Sequence, residues 1–88
     1  MEITKSTRKN KKYMVVVDGK TYHFGDSRFA QYKDRTPLKL YSHLDHNDKK
    51  RQRNYFKRHS GVATRREAIE KEMKNGISPK LLSHIYLW

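Results

Sequence analysis

Residues 11–24 read KKYMVVVDGKTYHF. β-Branched and aromatic residues flank Asp18-Gly19, a dipeptide suited to the two positive φ angles of a type I′ turn, so the stretch is predicted to form a β-hairpin. A lone hairpin is marginal in water, and another part of the chain must cover its apolar face. SPKLLSHIYLW at 78–88 is the expected cover, because Leu81, Leu82, Ile85, Leu87 and Trp88 would otherwise lie in solvent.

The segments between them carry helix signals. Gly25-Asp26-Ser27 breaks the strand pattern, and Asp26 or Ser27 is placed to cap a short helix through Phe29, Ala30 and Tyr32. Thr36-Pro37 has the form of an N-cap and first helical residue, which predicts a helix over about residues 37–44. Asn47 or Asp48 is expected to cap the next helix, ending near Ser60-Gly61. Thr64 and Glu67 fit a capping box ahead of an apolar stripe of Ala68, Ile69 and Met73, and Asn75-Gly76 closes that helix. Ser78-Pro79 opens the last. The expected fold class is α+β, an N-terminal β-hairpin packed with several short helices. Residues 1–10 are read as a flexible basic arm and 11–88 as a single small domain.

Composition bounds the function. The 88 residues hold 21 Lys and Arg against 9 Asp and Glu, a formal charge of +12. Such a surface attracts polyanions. The absence of cysteine rules out disulfides and thiolate zinc sites. The apolar runs are too short for a bilayer span or a signal-peptide core, so no membrane partner and no secretion are expected.

The charge concentrates in HLDHNDKKRQRNYFKRH, residues 43–59. His43, His46 and His59 with Asp45 or Asp48 include the ligand types zinc takes. Asp45-His46, Asn54 and His59 also follow the chain order of a ββα-metal nuclease, but they come after the hairpin that would have to carry the first histidine. No phosphate loop, cysteine nucleophile or nucleophile elbow is present. Glu67, Glu70 and Glu72 read as a solvated, salt-bridged helix surface. The expectation is no enzyme, no catalytic residue, no metal ligand and no cofactor.

Wound as a helix, the stretch separates into faces. Asp48, Arg51, Tyr55 and Arg58, with Gln52 and His59 alongside, form a mixed face that can dock on the core through Tyr55, with Asp48 able to pair with Arg51. Lys49, Lys50, Arg53 and Lys57 point elsewhere and have no evident intramolecular use. Their natural role is phosphate contact, joined by Arg65, Arg66, Lys11 and Lys12.

The pattern His46-x-Asp48-x-x-Arg51-x-x-Asn54-Tyr55-x-x-Arg58-His59 resembles the central motif of a family of small basic proteins encoded by large DNA viruses and tailed bacteriophages. The 11–34 segment and the Ser-Pro opening and Leu-Trp ending of 78–88 are similar to that family as well. The resemblance implies a viral or phage origin and no particular reaction. By position it falls on His46, Asp48, Arg51, Asn54, Tyr55, Arg58 and His59, which are read as a structural network. The expected function is a genome-associated protein binding nucleic acid, DNA ahead of RNA, mainly through phosphate contacts. A minor virion protein docking on a larger capsid or tail protein is second, and a metal-dependent HNH-like nuclease third. The expected location is the virion, or the cytoplasm or nucleus of an infected cell.

Overall fold

A computed structural model describes residues 2–88, so Met1 lies outside the described residues. Strands β1 (Ile3–Lys5), β2 (Lys11–Val17) and β3 (Lys20–Asp26) form an antiparallel sheet in the order β1-β2-β3. Helices α1 (Lys49–Ser60), α2 (Arg65–Met73) and α3 (Pro79–Tyr86) follow, and the fold is α+β as expected. No helix among the described residues is long and apolar enough to cross a membrane.

The hairpin forms as its turn chemistry dictates. Asp18 and Gly19 both take positive φ, 50° and 79°, and Val17 pairs with Lys20 across them. Tyr13 and Val15 of β2 and Phe24 of β3 face a core closed by Leu82 and Leu87. The C-terminal segment is thus the cover that the hairpin required. Its carbonyls are held by other parts of the chain: Ile85 O accepts from Arg65, Tyr86 O from the Arg35 amide, Leu87 O from the Lys33 amide and Trp88 O from Gln52. These groups cannot be satisfied within α3, and each is met by a donor distant in sequence.

Three expectations need correction. The N-terminal segment is not an arm throughout. Ile3–Lys5 pairs with Val15–Tyr13 of β2, and Ser6 joins the sheet edge through a 2.7 Å bond to His23. No helix forms through Phe29. Asp26 instead holds a tight turn, accepting from the Arg28 amide and guanidinium. Nor does a helix run from Pro37, because Lys39 takes φ 50° and leaves only a 3-10 turn over Ser42–Leu44.

The 27–47 segment is held by buried side chains instead of a helical ladder. The Asp34 carboxylate accepts from the Thr36 amide and hydroxyl, the Tyr41 amide and the Tyr13 hydroxyl. Asp45 accepts from the Asp34 amide and Gln31, and Gln31 also takes the Lys12 ammonium and donates to Tyr41 O. Burial raises the Asp34 pKa, but the bonds from Thr36 and Tyr13 outweigh it and hold the carboxyl below its ordinary value. Burial, with the bond to Asp34, pushes Tyr13 up to about 12.

Gly25 is confined twice over. It takes φ 77°, and a Cβ there would lie 2.6 Å from Leu87 Cδ1. Gly25→Ala is expected to destabilise the domain by about 2–4 kcal/mol, combining left-handed strain with overpacking of the core. Chemical denaturation reads this directly, and an unchanged midpoint would contradict the close approach of Leu87.

Candidate nucleic-acid interface

Helix α1 begins and ends where its sequence says it should. The Asp48 carboxylate accepts from the Lys50 amide at 2.9 Å and the Arg51 amide at 3.2 Å, and Gly61 closes the helix with φ 71°. Capping occupies Asp48, and it forms no ion pair with Arg51. The inner side of α1 buries Tyr55, Phe56 and Ser60. Phe56 packs with Ala68 of α2, while Tyr55 lies flat against Trp88 with ring centroids 4.0 Å apart and planes at 4°.

Beneath Tyr55 runs a buried polar chain linking the three helices. The Ser60 hydroxyl donates to Glu72 Oε2 at 2.9 Å, so it must accept from His84 Nε2 at 2.7 Å. That leaves His84 Nδ1 to accept from the Tyr55 hydroxyl at 3.0 Å. Burial pulls the His84 pKa down to about 4, the nearby Glu72 carboxylate opposing the shift only in part. Burial also raises the Tyr55 pKa. Glu72 therefore belongs to the interior, not to the solvated surface expected for α2, and Met73 takes the exposed place.

The outer side of α1 carries Lys49, Lys50, Arg53 and Lys57, all exposed. The ion pairs among the described residues are Arg28 with Asp26 and Arg66 with Glu70, so none of these four cations is paired. Their side-by-side placement follows from helical spacing. The other expected contacts divide. Lys12 is 2% exposed, with its ammonium given to Phe29 O and Gln31, and burial lowers its pKa to about 8. It is an internal residue, which corrects its assignment to the surface. Arg65 is half-buried and donates to Ile85 O at 2.7 Å. Arg66 lies open on α2 beside Glu70, and Lys11 stands half-buried at the mouth of a recess.

The motif residues read as one structural network also divide. His46 accepts from the Asp48 amide at 3.0 Å and rests against Trp88, with ring centroids 5.2 Å apart. Tyr55 anchors the helix, and His59 lies 4.5 Å from the Tyr55 ring. Arg51, Asn54 and Arg58 are exposed and border Trp88 from outside. The histidines do not gather. His43 stacks on Tyr41 instead, and among the described residues no three His, Asp or Glu side chains are grouped so as to hold a metal ion.

Between α1, α3 and the β3 end of the sheet lies a recess of about 610 Å³, which lies over the buried Phe24, Tyr55 and Leu87, is bordered by Trp88, Phe29 and Pro79, and is edged by Arg51, Arg58 and Lys80. Sequence reasoning did not find it. Its edge is assembled from α1, α3 and the turn carrying Phe29, and no local pattern links them.

The model of a family of unknown function, DUF5754, matches residues 1–59. The chain belongs to the DUF5754 family. The matched part spans the sheet, the 27–47 segment and α1 as far as His59, so within DUF5754 the basic helix is matched, whereas Lys80 and Trp88 lie beyond the match. No curated protein and no solved structure matches the chain at a significant level.

Proposed function

We propose that this DUF5754 protein is a non-enzymatic, genome-associated protein of viral or phage origin, binding nucleic acid through the outer face of α1. The supporting observation is the row of exposed, unpaired cations Lys49, Lys50, Arg53 and Lys57 on a capped and well-anchored helix. A rigid helix fixes the spacing of the charges, and phosphate contact uses them without requiring any base to be read. DNA is the preferred partner, and the location is the virion or the infected cell. The virion-component alternative would use the C-terminus as an anchor, but Leu87 is buried in the domain's own core and Trp88 is stacked on Tyr55.

Replacing Lys49, Lys50, Arg53 and Lys57 together by Gln tests the face. Four lost phosphate contacts are expected to reduce the slope of log affinity against log salt by about 3–4, with melting behaviour retained. Unchanged affinity and slope would remove α1 from the interface.

A further inference from the structure

We infer that the recess between α1, α3 and the sheet is a binding site for a single unpaired nucleotide. Three observations carry this. The recess, at about 610 Å³, lies within the roughly 300–1,000 Å³ typical of small-molecule sites, and its lining mixes apolar residues, Phe29, Pro79 and Trp88 among them, with charged ones. Its edge is cationic: Arg51, Arg58 and Lys80 form no ion pair among the described residues. The carboxylate that lines it, Asp26, is neutralised by Arg28 at 2.8 Å. Finally, Phe29 stands at the edge 63% exposed, with the Arg28 guanidinium 5.6 Å from its ring centre. An aromatic ring left this open is a stacking surface for a planar group.

The chemistry recognised is therefore a phosphate joined to a planar ring. Arg51 and Arg58 supply forked donors suited to phosphate, Lys80 adds a point charge, and Phe29 offers the stacking face. His59 also lines the recess. Its ring nitrogens can bond a base edge, and burial, with Arg58 and Lys80 nearby, lowers its pKa. A paired base cannot enter such a recess, whereas one at a strand end or in a single strand can. The site itself stands apart from the proposed role of α1, but the assignment of its nucleotide to a nucleic-acid strand rests on that role.

Trp88 is the only tryptophan of the chain and lines the recess, so its emission reports occupancy. Adenosine 5′-monophosphate and an oligothymidylate are each titrated at low salt, with inorganic phosphate as competitor and a labelled blunt duplex followed separately by anisotropy. Saturable change with the nucleotide and the oligothymidylate is expected, with phosphate competing poorly. Arg51→Gln with Arg58→Gln should weaken both about tenfold, and Phe29→Ala should weaken both without lowering the melting temperature. Phosphate competing as well as the nucleotide would overturn the inference, since it would reduce the recess to an anion site. So would an unresponsive Trp88 in a protein that still binds the duplex, and that result would leave the α1 role standing. Nucleotide binding without any binding of strands would support the recess and overturn the role of α1.

Discussion

Asp34→Ala is expected to remove about 3–5 kcal/mol of stability, a large part of what a domain of this size possesses. The carboxylate is buried and accepts from Tyr13, Thr36 and Tyr41, so its loss strands several donors in the interior. Its bond with the Tyr13 hydroxyl also ties the 27–47 segment to the central strand. Asp34→Asn preserves the volume but replaces one acceptor oxygen by a donor, and should be intermediate. Urea denaturation of the two variants reads the difference. A midpoint for Asp34→Ala close to that of the parent would show that the segment does not depend on this carboxylate.

The second large effect concerns acid. His84 has a folded pKa of about 4 against an ordinary 6.5, so the unfolded chain binds the proton more readily. Stability from keeping this imidazole neutral is fully present above about pH 6.5 and is lost as pH falls toward 4. The loss amounts to about 3 kcal/mol for the whole shift. His46 and His59, both lowered chiefly by burial, act in the same direction. Asp34 contributes in a different window. Its carboxyl is depressed, so its contribution is present above the ordinary carboxylate range and disappears as pH falls through the folded value. Acid unfolding should thus start with the histidines before the carboxylates titrate. A His84 imidazole found by NMR to titrate near 6.5 in the folded protein would contradict its buried bonds to Tyr55 and Ser60.

The legible parts of this fold were those set by local chemistry. Asp18-Gly19 specified the turn, Asp48 and Gly61 bounded α1, and Ser78-Pro79 opened α3, because each acts on backbone groups within a few residues. Thr64 caps α2 as its sequence position predicts, its hydroxyl accepting from the Glu67 amide and donating to the Glu67 carboxylate at 2.9 Å. The 27–47 segment was not legible. Asp34, Asp45 and Gln31 fix it through bonds to distant partners, which leave no periodicity, while Thr36-Pro37 offered a helix start that Lys39 cuts short. Strand β1 has three residues, too few to show alternation.

The candidate interface was legible where it lay on one helix. Helical spacing separated Lys49, Lys50, Arg53 and Lys57 from Tyr55, and the structure exposes the first four and buries the last. Spacing could not show that Lys12 turns inward, since that depends on Gln31 and Phe29 O reaching it from a segment folded over the sheet. Nor could it separate Arg51 and Arg58 from the buried Tyr55, because the position of Trp88 decides which side of the motif is covered.

The unpaired charges of α1 are proposed as a nucleic-acid-binding surface. Fluorescence anisotropy of the purified, nucleic-acid-free protein against labelled duplex DNA, single-stranded DNA and RNA, at low and near-physiological salt, tests it most directly. Binding is expected to weaken steeply with salt yet persist near physiological ionic strength, with DNA preferred. Binding that vanishes there for every strand tested would contradict this proposal and return the charge of α1 to a solvated surface.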